Sequence, residues 1–147
     1  MYQPSGYTVL SGAVSGGGAL SRLFANDGSR LELRAANGGT RVASFYASAT
    51  IAAGQLPTLN RLQIDYDGNA TGGATNVSLR IWNWSTSSWV TIDGPVQGAT
   101  GDRFVTWSTS SPGAYVSSNG SVRLNVHGTQ GSNFRLRTDL VRFTVDY

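Results

Sequence analysis

An antiparallel β-sandwich is the fold that this 147-residue chain predicts, and three observations lead there. Val, Ile, Thr, Tyr, Phe and Trp recur in short runs that alternate with polar residues, the period of a strand with one buried face. Clusters of Gly, Asn, Asp and Ser separate these runs at intervals of about 10 residues, the spacing of a sandwich. No segment carries a helical period, and 19 glycines, a single Glu and no Lys make poor helix material. The length fits one domain with a real core, so residues 1–147 are expected to form a single module.

Taken in order, Tyr7 to Val14 predicts the first strand and Ser15 to Gly18 a turn. Leu20 to Phe24 reads as a short strand or edge segment, and Asn26-Asp27-Gly28 as a turn. Arg30 to Ala35 alternates with Leu31, Leu33 and Ala35 inward. Arg41 to Ile51 is a longer strand, expected to bulge because Val42 and Phe45 cannot share a face in a regular one. Leu59 to Asp65 follows, with Leu62, Ile64 and Tyr66 on one side, and Asp67 to Gly73 is expected to be a loop. A hairpin occupies residues 76 to 93, and a glycine-spaced loop follows Pro95. Arg103 to Thr109, Tyr115-Val116 and Ser121 to His127 are the next strand segments. In the last strand, Phe134 to Tyr147, the apolar phase changes from even to odd numbers, which places a bulge near Thr138 to Leu140.

The hairpin carries the strongest functional signal. Val77, Leu79 and Ile81 point one way and Ser78, Arg80, Trp82 and Trp84 the other, while beyond Ser85 to Ser88 the pattern resumes with Val90 and Ile92 opposed to Trp89 and Thr91. Closed on a four-residue loop at 85–88, the strands would pair Trp84 with Trp89, Trp82 with Thr91 and Ile81 with Ile92. Aliphatic side chains then share one face, and three tryptophans with Arg80 share the other. Such a patch is either a ligand platform or a structural plug under a second layer of protein.

Composition narrows the chemistry. The net charge is +3, all eleven basic residues are Arg, and they are dispersed along strands rather than gathered in a run that a phosphate backbone could follow, which argues against nucleic acid as a partner. No apolar run is long enough to span a membrane as a helix, and the absence of Cys removes disulfides and thiolate metal sites. The start Met-Tyr-Gln-Pro-Ser lacks signal-peptide character, so the chain is expected to be a module excised from a larger secreted protein. Catalytic inventories are thin, with one His (His127), one Glu (Glu32) and no nucleophile-elbow or zinc-protease pattern. Asp65 and Asp67 share a strand face and form the one candidate carboxylate pair for a small glycoside hydrolase or lyase. The same residues, with Asn69, offer hard oxygens at alternate positions, and Asp27 with Asp139 forms a second candidate site if the early turn meets the last strand. The remaining aromatics, Trp82, Trp84, Trp89, Trp107 and Tyr115, suit the C–H faces of sugars, with Arg80 among the polar partners.

The segments Asp27 to Leu33, Leu79 to Trp84 with Trp89-Val90, Tyr115 to Arg123 and Thr138 to Phe143, in that order, resemble accessory β-sandwich modules of bacterial secreted proteins, related to galactose-binding-like jelly rolls and carbohydrate-binding modules. The resemblance implies an extracellular, non-catalytic jelly roll that holds a polysaccharide or oligosaccharide and directs a covalently linked catalytic domain to it. It also implies one structural calcium ion between an early loop and the last strand, with Asp27 and Asp139 as the positions to test. An Asn-Trp hairpin is common to such modules, which favours a structural role for Trp84.

Overall fold

Alternating side chains need a second layer to bury their apolar face, and the chain supplies both layers itself. The structure, a computed structural model, describes residues 1–98 and 100–147. Its strands are β1 (Gly6–Ser11), β2 (Ala13–Ser15), β3 (Leu31–Arg34), β4 (Arg41–Thr50), β5 (Arg61–Ala70), β6 (Asn76–Asn83), β7 (Ser88–Gln97), β8 (Arg103–Thr109), β9 (Ser121–Gln130) and β10 (Arg135–Asp146). A first sheet has the order β1-β4-β9-β6-β7 and a second the order β2-β3-β10-β5-β8, with antiparallel pairing throughout. The fold is the antiparallel jelly-roll sandwich expected.

Between the sheets, Phe45, Leu79, Ile81, Leu124 and Val126 of the first meet Leu31, Leu33, Leu62, Ile64, Tyr66 and Phe143 of the second, none more than 1 % exposed. Burying each large aliphatic or Phe side chain contributes about 1.5–3 kcal/mol. The inward assignments of Leu31, Leu33, Leu62, Ile64, Tyr66, Val122, Leu124 and Val126 all hold.

Several boundaries differ from expectation. Tyr7 to Val14 is two strands in different sheets, divided at Gly12, whose φ of 88° and closeness to the Arg34 carbonyl leave no room for a side chain. Leu20–Leu23 is a 3-10 turn rather than a strand, and Tyr115-Val116 follows another, Pro112–Ala114. β4 pairs with β9 without interruption from Arg41 to Thr50; the irregularity lies on its neighbour β1, between Val9 and Ser11. β5 continues to Ala70, so Asp67 belongs to a strand paired on both sides and not to a loop. β7 likewise runs on through Gly94 and Pro95, with two register shifts against β6. The glycine-spaced loop expected after it includes Ala99, which lies outside the described residues. The bulge in β10 is present: Thr138 pairs with Gly68 and Leu140 with Asp67, which leaves Asp139 as the extra residue.

Glu32 ties three strands of the second sheet together. Its carboxylate accepts from Ser15 Oγ of β2 (2.8 Å) and from Arg135 Nη1 (2.7 Å) and Arg137 Nε (2.6 Å) of β10. Burial opposes its ionisation, but these three hydrogen bonds prevail and bring its pKa down to about 2. A depressed carboxylate pKa contributes stability that is present above the ordinary value of 4.5 and lost as pH falls towards 2. Urea unfolding between those pH values should therefore show a falling midpoint, and Glu32→Gln should flatten part of that slope.

Candidate functional site

The hairpin between β6 and β7 turns on an asparagine. Asn83 Oδ1 accepts from the backbone N–H of Ser85 (2.9 Å) and of Thr86 (3.2 Å), which draws Trp84 into the turn. The loop is therefore 84–87, with Ser87 at φ 51°, and not 85–88. Trp82 pairs with Trp89, Ile81 with Val90 and Arg80 with Thr91; the expected pairs of Trp84 with Trp89, Trp82 with Thr91 and Ile81 with Ile92 do not form. Both strands shift by one residue, so parity across the hairpin survives.

On the outer face of the first sheet these residues join others from β4 and β9. The rings of Trp82 and Trp89 lie 5.0 Å apart at 72°, and those of Trp82 and Trp84 lie 6.2 Å apart at 81°. Tyr46 approaches Trp89 at 5.9 Å. The Arg123 guanidinium sits 4.7 Å from the Trp84 ring centre and 5.1 Å from that of Tyr46. Tyr46, Arg80, Trp82, Trp84, Trp89 and Arg123 are all half-buried, so the cluster is neither an open platform nor a covered plug. Edge-to-face contacts of this kind add about 0.5–1.5 kcal/mol each and fix the rings in place.

Beneath them Asn125, 1 % exposed, occupies the register row between Tyr46 and Arg80, and its amide donates to Ser44 Oγ and Phe45 O, both at 2.8 Å. His127, two residues along β9, is held below its ordinary pKa by burial and then by the Arg80 charge, so its imidazole is neutral at pH 7. Trp84 is the most embedded of the three indoles by its bonding: its backbone N–H donates to Ala114 O at 2.7 Å, and its ring Nε1 is buried.

Trp107 and Tyr115 form a separate edge-to-face pair, 5.7 Å apart. Trp107 lies on β8 of the second sheet, and both rings pack on the core, so they do not join the hairpin cluster. Conversely Tyr46, Arg123 and Asn125 were not singled out from the sequence, although their parity on β4 and β9 opposes Phe45, Leu124 and Val126 and already places them on the outer face.

The acidic residues gather on the second sheet. Asp65 is committed: Arg142 Nε and Nη2 donate to its Oδ2 (2.9 and 2.8 Å), and Thr106 Oγ1 and Gln63 Nε2 to its Oδ1 (2.8 and 3.0 Å). Burial raises and these bonds lower its pKa, with a net shift downward. Asp67 and Asp139, 2 % and 0 % exposed, each keep one buried oxygen without a hydrogen bond. Burial raises both pKa values; Asp102 adds to the rise at Asp67, and Asp67 and Asp102 add to it at Asp139. The early turn reaches this pair, for Asn26 bonds Asp67 and Gly28 N–H donates to Asp139 Oδ2 at 3.3 Å from a φ of 78°. Asp27 itself is exposed and accepts from Ser29 N–H within its own turn (2.8 Å), so Asp67 rather than Asp27 faces Asp139. Among the described residues no three His, Cys, Asp or Glu side chains form a metal-holding group. A cavity of about 710 Å³ opens elsewhere, beside Gly12, Asn37, Asn133 and Arg135; its one aromatic, Phe134, is 3 % exposed and belongs to the core.

Residues 31–146 match the family described as Domain of unknown function (DUF8815). No curated protein sequence matches the chain. Among solved structures, a CBM61 module (TmCBM61) in complex with beta-1,4-galactotriose aligns at a TM-score of 0.59 and 9 % identity, over 98 % of this chain and 91 % of that one. A CBM4 structure aligns at 0.53 and 13 % identity, over 83 % and 87 %. The enzymatically active domain of tailspike protein 4 of Bacteriophage CBA120 aligns at 0.54 and 13 % identity, over 97 % of this chain but only 20 % of that one. At these identities the likeness is one of fold.

Half-burial sets the energetic expectation for the cluster. Trp82→Ala and Trp89→Ala should each cost about 1–2 kcal/mol in urea unfolding, between the near-neutral surface range and the 3–5 kcal/mol of a core Trp. Trp84→Ala should cost more than either.

Proposed function

This chain belongs to the DUF8815 family, and we propose that it is a non-catalytic carbohydrate-binding module. The observation that carries the proposal is the cluster of half-exposed, mutually braced indoles on the outer face of the first sheet. Trp82 and Trp89 offer ring faces to the C–H side of a sugar, Trp84 holds them in place, and Arg80 lies in the adjoining row, opposite the buried Asn125. The fold it shares with a module in complex with beta-1,4-galactotriose supports the reading. A non-catalytic role is supported by the carboxylates: both oxygens of Asp65 are engaged and Asp67 is buried, which leaves no paired acid and nucleophile open to a glycan. In a secreted parent protein such a module would hold an attached catalytic domain against its polymer.

Few stacking rings offset the cost of immobilising a glycan, so dissociation constants of about micromolar to millimolar are expected. Affinity gel electrophoresis across a polysaccharide panel should show retardation on at least one polymer, lost in Trp82→Ala and Trp89→Ala proteins that remain folded. Retardation on none, or retention unchanged by both substitutions, would return the cluster to a structural or protein-contacting role.

We also propose one structural calcium ion at Asp67 and Asp139. Two buried carboxylates, each with an unpartnered oxygen, repel one another, Arg30 Nε at 4.0 Å from Asp139 offsets that only in part, and a hard cation would relieve the rest. Calcium should raise the melting temperature at pH 7 and a chelator lower it, and Asp139→Asn should abolish the difference. An identical melting temperature with calcium and with chelator would remove the ion.

A further inference from the structure

We propose that the ligand of the outer face is an acidic polysaccharide, one whose sugar repeat carries a carboxylate. The inference rests on the carbohydrate-binding reading and names the substrate class of that site. Its basis is the distribution of charge. Of the chain's eight carboxylate side chains, only Asp93 belongs to a strand of the first sheet, and it is bonded by Arg103 of β8. Arg30, Arg61, Arg135, Arg137 and Arg142 likewise have acidic partners on or beside the second sheet. Among the described residues, Arg22, Arg34, Arg41, Arg80 and Arg123 have none, and of these Arg80 and Arg123 are the two that lie at the indole cluster.

These two are not solvated surface arginines. Both are half-buried, and Arg123 is held between the rings of Tyr46 and Trp84. A cation partly withdrawn from water without a counter-ion is costly, and a ligand anion recovers that cost. Arg80 lies opposite Asn125, with Arg123 two residues further along β9, which sets the two diagonally at about 7–8 Å. Trp82 is the next outward residue after Arg80 on β6, so a sugar stacked on it has a guanidinium beside it. The planar fork of arginine matches a carboxylate through two parallel hydrogen bonds, a geometry that a neutral hydroxyl does not use. A neutral glycan would leave both charges uncompensated.

Three soluble polymers separate the possibilities: polygalacturonate, the same polymer with its carboxylates reduced to alcohols, and neutral β-1,4-galactan. The protein should be retarded by polygalacturonate about tenfold more strongly than by its reduced form, and the retardation should fall as salt screens the contact. Arg80→Gln, with an unchanged melting temperature, should lose about tenfold in affinity, whereas Arg61→Gln on the opposite sheet should lose nothing. Equal retention by the native and reduced polymers, or retention unaffected by Arg80→Gln, would overturn the proposal. Retention by galactan alone would also overturn it while leaving carbohydrate binding intact. Retention by none of the three would overturn the proposal, and carbohydrate binding falls with it only if the rest of the polysaccharide panel also fails to retard the protein.

Discussion

Everything on this molecule's surface is placed by the packing of two aliphatic layers against each other. Once Leu79, Ile81, Leu124 and Val126 are committed inward, the two-residue period of a strand leaves Arg80, Trp82, Arg123 and Asn125 no choice of side. A slip of one residue in β6 or β9 would carry indole and guanidinium groups into the core and several aliphatics into water, a loss of many kcal/mol. The aromatic face is thus held in register by residues that lie wholly within the core.

The two sheets then divide the polar work. The second gathers the carboxylates, and its arginines neutralise most of them: Glu32 under Arg135 and Arg137, Asp65 under Arg142, Asp102 under Arg30. The bulge in β10 makes the least compensated case, because the extra residue it inserts is Asp139, delivered into a buried position against Asp67 with Arg30 Nε no nearer than 4.0 Å. The first sheet instead gathers aromatic rings and leaves two cations beside them, Arg80 and Arg123, without a carboxylate partner. Its single buried amide, Asn125, bonds to β4 through Ser44 Oγ and Phe45 O, so the floor under the rings is itself fixed by hydrogen bonds.

Most of the fold was legible because it rests on parity, and parity is a property of the sequence. The β10 bulge could be read from the change of phase between Leu136 and Val141. Gly12, by contrast, looks like any strand glycine, although it is where the chain leaves one sheet for the other. The loop was placed one residue too late, and the pairing register two, because the competition between loops was settled by the side chain of Asn83, a local hydrogen-bonding preference that alternation does not report. Within the site, the tryptophans and Arg80 were visible from their own hairpin. Tyr46 and Arg123 come from strands distant in sequence, and only the sheet order brings them to the same rings. Trp107 and Tyr115 were grouped with the hairpin by residue type alone; Trp107 belongs to β8 of the other sheet, and Tyr115 pairs its ring with Trp107 rather than with the hairpin indoles. Asp67 was paired with Asp65 and Asp27 with Asp139 because the strand end was placed too early; β5 carries Asp67 into the buried cluster beside Asp139 while Asp27 stays in its turn.

β7, with its two register shifts and Pro95, is also an outer edge of the first sheet, and β1, with its own irregularity between Val9 and Ser11, is the other. Proline has no N–H to give an incoming strand, and a bulged edge does not present an even ladder of donors and acceptors. Neither rim is therefore a template on which an extended peptide, or a second copy of the chain, can add itself as an eleventh strand. Edge-to-edge association through the first sheet is disfavoured by the same irregularity, so that sheet can present an aromatic face without its own rims zipping together.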